Sequence, residues 1–280
     1  MKKILTVLII VVLCVATVLT AVACTSSELN FGKKLVKTNA MIDILTELTA
    51  KTADVGIMDS IMANYYLTIN PTYASQLQLV EGLVLAEEEY GIAARKNAKS
   101  TIYKVNYALK ALKADGTVNE IAAKYGLVNE LVIDGSADIG SEPTDADWSE
   151  IIKDGKIKIG YTVFAPIAYT DANGKLIGFD TELAEAVAEY YGLTAEFIEI
   201  QWDSKTMELE SKNIDLIWNG MTITDEIKAA CEISIPYLQN RQVAVIRKAD
   251  ADKYTKDTST MSDAVIAAES GSAGQAVVEK

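Results

Sequence analysis

Short apolar runs alternate with segments of helical periodicity through the second half of the chain, and this alternation limits the folds open to it. The runs Lys156–Tyr161, Ala195–Trp202 and Asp215–Met221 have the composition of strands, and Phe179–Gly192 is a helical segment between the first two. Strands that alternate with helices predict an α/β fold with largely parallel sheets. In such sheets ligands bind beyond the carboxyl ends of the strands, where we expect functional residues.

The first half of the chain contains the same kinds of element. A helix is predicted around Ala40–Lys51, followed by a buried strand over Val55–Met58 that ends at the carboxylate of Asp59. Two further helices follow and are broken near Asp115-Gly116. The stretch Ile133–Trp148 is polar and has no periodicity, which predicts a linker between the two halves.

Composition excludes several classes of function. The formal net charge is −13, and it becomes −15 when the two leader lysines, Lys2 and Lys3, are removed. An acidic surface repels phosphate backbones, so we expect no nucleic-acid partner. The chain has no histidine and, outside the leader region, its single cysteine is Cys231. Nucleophilic catalysis that depends on histidine and the usual zinc sites are therefore excluded, and no metal or cofactor is expected.

The first 24 residues have the layout of a secretion signal. Two lysines precede an uninterrupted apolar stretch that ends in small residues. Residues 1–23 are predicted to be a signal peptide, with Cys24 as a lipidation site, because Ala21-Val22-Ala23-Cys24 resembles a bacterial lipobox. Ordinary cleavage after Ala23 and an uncleaved apolar anchor are the alternatives. All three place the body of the protein outside the cytoplasm.

Several motifs carry a resemblance to a known family. One half contains a loop ending in Pro166, the turn N-G-K-L-I-G-F-D and the segment G-M-T-I-T-D-E that starts at Gly220. The other half contains A-D-V-G-I-M-D, which ends at Asp59, and A-L-K-A-D-G-T. These motifs resemble the first lobe, and the second lobe with the C-terminal helices, of bacterial extracellular solute-binding proteins for amino acids. The resemblance implies a two-lobed type 2 periplasmic-binding-protein fold with a two-strand hinge.

The order of these segments is the reverse of the family's order. Running residues 148–280 and then 28–131 restores it, so we predict a circular permutation in which Lys280 and Glu28 are neighbours. Residues 28–94 and 247–280 would then form a discontinuous second lobe. Residues 95–246 would form the first lobe, including C-terminal helices within 98–127 and the linker 133–148, with the hinge near Ala94 and Arg247.

The resemblance also implies a ligand-binding site with a role for each residue. Phe164 and Trp202 match the aromatic residues that enclose the ligand side chain. Four consecutive residues match the loop that offers backbone groups and a hydroxyl to the amino and carboxylate groups of the ligand: Asn219, Gly220, Met221 and Thr222. Thr224 is predicted to cap the following helix.

The second lobe is expected to supply the remaining contacts. Asp59 matches the carboxylate that pairs with the ligand ammonium group. Gly271, Ser272 and Ala273 match a loop that donates N–H groups to the ligand carboxylate. One departure affects this site, because Ile227 stands where the family has an arginine that binds the carboxylate through two parallel hydrogen bonds. Tight binding of an ordinary α-amino acid is therefore in doubt.

These observations lead to one functional hypothesis. We expect an extracytoplasmic substrate-binding component of an amino-acid ABC importer, monomeric and without catalytic activity, that closes two lobes over an amino-acid-like solute or related amine. Its partners would be the transmembrane permease subunits and, through a lipid anchor, the membrane. The alternatives are a degenerate or permuted homologue without tight binding, a ligand-sensing module, and a cyclohexadienyl-dehydratase-like enzyme whose acid would be Asp59 or Glu269.

Overall fold

The computed structural model describes residues 29–279. The predicted signal peptide, the lipidation site Cys24, and the predicted neighbours Glu28 and Lys280 lie outside these residues. The described chain forms twelve strands: β1 Lys34–Thr38, β2 Val55–Asp59, β3 Leu77–Leu79, β4 Ala86–Arg95, β5 Lys156–Tyr161, β6 Tyr169–Thr170, β7 Leu176–Ile177, β8 Thr194–Glu199, β9 Leu216–Thr222, β10 Cys231–Ile233, β11 Leu238–Arg247 and β12 Val265–Glu269.

Ten helices connect or flank these strands, and most of them follow the predicted segments. They are α1 Asp43–Thr49, α2 Ser60–Ile69, α3 Pro71–Gln76, α4 Lys99–Ala114, α5 Thr117–Lys124, α6 Asp147–Asp154, α7 Phe179–Tyr190, α8 Lys205–Glu210, α9 Asp225–Ala230 and α10 Ala273–Val278. The break between α4 and α5 falls at Asp115-Gly116 as predicted, because Gly116 adopts a positive φ of 96°. Thr224 caps α9 by accepting the N–H of Ile227.

Ten of the strands form one sheet in the order β1-β12-β2-β11-β4-β9-β5-β8, with β3 beside β11 and β10 beside β4. The expectation of largely parallel sheets was wrong, because the sheet is mixed. Parallel pairing joins β1, β12 and β2, and also β8, β5 and β9. The two ten-residue strands β4 and β11 run antiparallel to each neighbour. Their direction could not be read from local periodicity.

Two groups of strands within the sheet have the same topology, a shared plan of strand order and direction. In the β5 group, β5 lies in parallel between β8 and β9, then β4 pairs antiparallel with β9, and the short β10 pairs with β4. In the β12 group, β12 lies in parallel between β1 and β2, then β11 pairs antiparallel with β2, and the short β3 pairs with β11. Pairing of β4 with β11 joins the groups, and the carboxyl ends of the parallel strands face a shared cavity.

The first and last described residues lie side by side within the β12 group. Leu29 forms an antiparallel bridge with Glu279, and the Asn30 N–H donates to the Val278 carbonyl at 2.7 Å. The strand β1, which follows Leu29 in the chain, pairs along its whole length with β12, which precedes α10.

The segment predicted to be a linker is attached to the rest of the β5 group. Asp145 accepts hydrogen bonds from the N–H and hydroxyl of Ser100 at the start of α4, at 2.8 and 2.5 Å. Asp147 pairs with Arg95 at 2.8 Å. Helix α6 begins at Asp147 and buries Trp148, so the irregular stretch ends slightly earlier than predicted.

Substitution of Gly56 tests how closely α1 packs on β2. A Cβ atom at position 56 would lie 2.4 Å from Ile44 Cγ2 and 3.0 Å from Leu48 Cδ1. We expect Gly56→Ala to lower the free energy of unfolding by about 1 to 3 kcal/mol through overpacking. Gly135→Ala is the matched control, since nothing lies within 4 Å of its added Cβ, and it should change stability by less than about 0.5 kcal/mol. Urea unfolding measures both, and equal stabilities of the two variants would contradict the packing.

Candidate functional site

A cavity of about 370 Å³ lies where the carboxyl ends of the two strand groups meet. All ten residues predicted to bind ligand border it, from five separate parts of the chain: Asp59; Phe164; Trp202; Asn219, Gly220, Met221 and Thr222; and Gly271, Ser272 and Ala273. The cavity therefore brings together residues from β2, the loop after β5, the loop after β8, β9, and the loop after β12.

The apolar wall of the cavity is built around Phe164 and Trp202. Both are buried, with exposed fractions of 3% and 7%. Phe164 packs edge-on against Tyr90, with ring centroids 6.5 Å apart. Gly220 makes this packing possible, because it adopts a φ of +60° and an added Cβ would lie 2.7 Å from the Phe164 ring.

The β9 residues already have partners within the protein. The Gly220 N–H donates to Asp180 Oδ2 at 2.7 Å, and the Thr222 hydroxyl donates to Glu88 Oε2 at 3.1 Å. The Asn219 amide donates to the Thr162 hydroxyl at 2.8 Å, whereas its buried Oδ1 has no partner among the described residues. Asn219 is therefore the β9 side chain with an acceptor left for a ligand donor.

Asp59 is held at the end of β2 by neighbouring side chains. It is buried, with 4% exposed, and it accepts hydrogen bonds from the Tyr90 hydroxyl and the Gln242 amide. Gln242 also donates to Glu88 at 3.0 Å. Burial, reinforced by the negative charge of Glu88, raises the pKa of Asp59 to about 7. A cation that entered the cavity would favour the ionised form of this carboxyl group.

The loop after β12 uses several of its own donors. The Gly271 N–H donates to Gln275 Oε1 at 2.8 Å, and the Ser272 N–H donates to the Glu269 carbonyl at 3.3 Å. The Ser272 hydroxyl accepts the Gln275 N–H at 3.1 Å and donates to the Glu269 carbonyl at 2.8 Å. Two of the three residues expected to bind a carboxylate through N–H groups thus donate within the loop.

Two charged residues of the cavity were missed as binding residues. Lys205, at the start of α8, donates to the carbonyls of Trp202 at 3.1 Å and Gly271 at 2.9 Å, with its Nζ 4.8 Å from the centre of the Trp202 ring. Burial lowers the pKa of Lys205. The sequence signal that could have identified Lys205 as a site residue is its position three residues after Trp202.

Ile227, which stands at the family's arginine position, is buried and borders the same cavity.

Glu269 is the second missed residue, and sequence analysis considered it only as a possible catalytic acid. It ends β12, is 3% exposed, and borders the cavity. Burial, together with the negative charge of Asp59, raises the pKa of Glu269 to about 8. Its Oε1 atom has no hydrogen-bond partner among residues 29–279.

Two further properties concern the part of the chain that the structure describes. Within it, no cluster of three or more histidine, cysteine, aspartate or glutamate residues could hold a metal ion. No helix in the same range is long and apolar enough to cross a bilayer. Cys231 is buried and forms no disulfide within residues 29–279.

Part of this chain matches the model of a known protein family. Residues 157–270 match the model of bacterial extracellular solute-binding proteins, family 3. The match covers less than half of the chain. It includes β9, β11, β12 and most of β5 and six of the ten predicted binding residues, while Asp59, Gly271, Ser272 and Ala273 lie outside it. That family is described as one of extracellular solute-binding proteins.

Individual relatives agree with the family match. The L-cystine-binding protein TcyJ of Escherichia coli strain K12 is 34% identical over 85 residues, which are 30% of this chain and 32% of that protein. A probable histidine-binding protein of Neisseria gonorrhoeae is 33% identical over 98 residues, which are 35% of this chain and 37% of that protein. The chain thus spans about a third of the length of the curated relatives it matches.

A solved structure also matches in sequence. The substrate-binding protein of a polar amino acid ABC uptake transporter from Streptococcus thermophilus is 46% identical over 30% of this chain and 32% of that one, with a TM-score of 0.29.

The buried carboxyl groups predict how stability depends on pH. Burial raises the pKa of Asp180, which does not border the cavity, to about 7, as it does for Asp59, and that of Glu269 to about 8. In the unfolded chain these groups have pKa values near 4. The folded protein therefore holds more protons, and its stability falls as pH rises from about 4 to 8.

We expect the unliganded protein to unfold more easily at pH 8 than at pH 5. Asp180→Asn should reduce this difference by about 1 to 3 kcal/mol, since it removes one group whose folded-state pKa is raised. The exposed Asp252→Asn is the control and should leave the pH dependence unchanged. Urea unfolding at the two pH values measures the effect, and a protein more stable at pH 8 would contradict it.

Proposed function

We propose that this protein is the extracytoplasmic substrate-binding component of an amino-acid ABC importer. The observation that carries the proposal is the single cavity bordered by all ten predicted binding residues, at the carboxyl ends of both strand groups. The family match and the names of relatives that bind cystine or histidine support an amino-acid-like solute as ligand. Transmembrane permease subunits would be its partners, and binding requires no cofactor or covalent chemistry.

In this proposal the two strand groups belong to two lobes. The β5 group with α4 to α9 would form the first lobe, and the β12 group with α1 to α3 and α10 would form the second. The hinge was predicted near Ala94 and Arg247, but the hydrogen-bond register favours an earlier crossing. Residues 86–90 of β4 pair with residues 242–238 of β11, which suits a two-strand hinge at that ladder.

Contacts across the cavity fit a closed arrangement of the lobes. The Lys205 ammonium group on one side donates to the Gly271 carbonyl on the other at 2.9 Å. A Cβ atom added to Gly271 would lie 2.7 Å from Asp203 Cα, so the two loops approach closely. A ligand that contacts both sides would shift an open population towards this arrangement.

The permuted order is also part of the proposal, and the repeated strand plan supports it. In the β5 group the chain runs without interruption from β5 through α7 to β8. The equivalent path in the β12 group runs from β12 through α10 to β1, and the bridge between Leu29 and Glu279 lies on that path. An unpermuted relative would join these two ends covalently.

The location of the protein follows from the leader. A signal peptide over residues 1–23 with lipidation at Cys24 would hold the monomer at the outer face of the membrane, and simple cleavage would release it. The description of the matched family as extracellular supports either outcome.

A homologue that has lost tight binding is the second candidate function, favoured by the single observation that Ile227 borders the cavity where an arginine is expected.

Calorimetric titration tests the proposed function. Across the amino acids and short diamines, we expect at least one ligand with a Kd in the micromolar range or tighter. Asp59→Asn should weaken that binding about tenfold or more, because it removes a charge-assisted hydrogen bond. The exposed Asp252→Asn is the matched control. Absence of binding by every compound, with a cooperatively folded protein, would favour the homologue without tight binding.

Reordering the gene tests the permutation. A chain in which residues 148–280 precede residues 29–131 should fold to the same structure and bind the same ligand within about twofold. Its α10 helix would be continuous with the segment before β1, so thermal unfolding should occur at a higher temperature. Circular dichroism and titration compare the two chains. A reordered chain that is insoluble, while the present order folds, would contradict the permutation.

A further inference from the structure

The wall of the cavity carries more acidic than basic side chains, and Glu279 among them pairs with Lys37 at 3.0 Å. Five acidic side chains border it, and Lys205 is the one basic side chain among the residues that line it: the acidic ones are Asp59, Asp203, Glu226, Glu269 and Glu279. Lys205 makes two hydrogen bonds to backbone carbonyls, at Trp202 and Gly271. The site is therefore set up electrostatically for a cation.

Glu269 is the least compensated of these groups. It is buried, its Oε1 has no hydrogen-bond partner among the described residues, and no ion pair joins it to Lys205 there. The Met41 backbone hydrogen-bonds to this carboxyl group, but the unpartnered Oε1 still makes its burial costly, so a cation at this position would be bound strongly. Lys205 does favour the ionised form of Glu269 through its charge, but burial outweighs that effect.

Strand register sets the relation between Glu269 and Asp59. In the parallel ladder of β12 and β2, Ile266 is level with Val55 and Ala267 with Gly56. Extending this register places Glu269 level with Met58, one residue before Asp59. The two residues thus end neighbouring strands, which lie about 4.8 Å apart in the sheet, and both border the cavity.

The cavity correspondingly has few positive charges or N–H donors available to bind an anion. Ile227 supplies no positive charge, and the N–H groups of Gly271 and Ser272 donate within their own loop. Asn219 Oδ1 is buried on the cavity wall without a hydrogen-bond partner among the described residues, and this acceptor would also bind a donor of the ligand.

We propose that Glu269 is a second cation-binding residue of the cavity, and that the ligand carries two ammonium groups, one bound by Asp59 and the other by Glu269. The inference rests on the proposed function and adds the class of ligand to it. Glu269 determines specificity by penalising any ligand that leaves it without a positive partner.

Lysine and norleucine provide the test, because they share a carbon skeleton and differ in the terminal ammonium group. We expect the wild-type protein to bind lysine about tenfold to a hundredfold more tightly than norleucine, as for loss of a charge-assisted hydrogen bond. In Glu269→Gln the two affinities should lie within about threefold of each other. Glu120→Gln, on the exposed face of α5, is the matched control and should retain the lysine preference.

The outcomes separate the inference from the proposed function. Norleucine binding as tightly as lysine to the wild type would overturn the inference and leave the proposed function intact. A lysine preference that survives in Glu269→Gln would also overturn it. Binding of 1,5-diaminopentane but of no amino acid would support the inference and contradict the amino-acid assignment, and binding of neither class would contradict both.

Proton release gives a measurement that does not depend on the variant folding. Glu269 faces Asp59, Lys205 and Asp43, and it must lose its proton to pair with an ammonium group. Lysine binding to the wild type at pH 7 should therefore release protons, seen as a binding enthalpy that changes with the ionisation enthalpy of the buffer. Norleucine should release fewer, and equal release by both would count against Glu269 as the second site.

Discussion

The antiparallel ladder between β4 and β11 is the interaction on which the rest of the structure depends. It joins two groups of strands, each with three parallel strands, through pairs running from Leu238 with Tyr90 to Gln242 with Ala86. The residues at its two ends also hold the central carboxylate, since the Tyr90 hydroxyl and the Gln242 amide both donate to Asp59. The ladder therefore fixes how the two groups meet and how Asp59 is presented. A change at either end of the ladder would alter both.

The sequence predicted the elements well and their arrangement only in part. Local periodicity located the strand that ends at Asp59 and the break between α4 and α5 at Gly116, because both depend on neighbouring residues. It could not give the direction of β4 and β11, since an apolar strand has the same composition whichever way its partners run. Each of these strands pairs with residues far away in the chain, and the mixed sheet follows from that tertiary pairing.

The candidate site shows a similar division. Resemblance to the family selected ten residues that border one cavity, but it did not give the partners that each has in this chain. Gln275 takes the Gly271 N–H, and Asp180 takes the Gly220 N–H, so donors that a motif would offer to a ligand have partners already. Lys205 and Glu269 were overlooked as binding residues because single charged residues on a helix or at a strand end are usually solvated. Their burial depends on tertiary contacts, such as that of Lys205 with the Gly271 carbonyl, which local sequence does not show.

Burial of the Asp59 and Glu269 carboxyl groups would link closure to ligand binding under the proposed function. Asp59 and Glu269 end adjacent strands, so bringing the loops of Asp203 and Gly271 together encloses both carboxyl groups in a space with little solvent. Without a cation they can avoid the cost of burial by taking up protons, which the raised pKa values of about 7 and 8 indicate. A dicationic ligand would replace those protons and gain two charge-assisted contacts in the same step. Under the proposed function, the closed arrangement would be favoured most when the cavity holds a ligand whose positive groups match both carboxylates, and the electrostatics of closure would be the source of its selectivity.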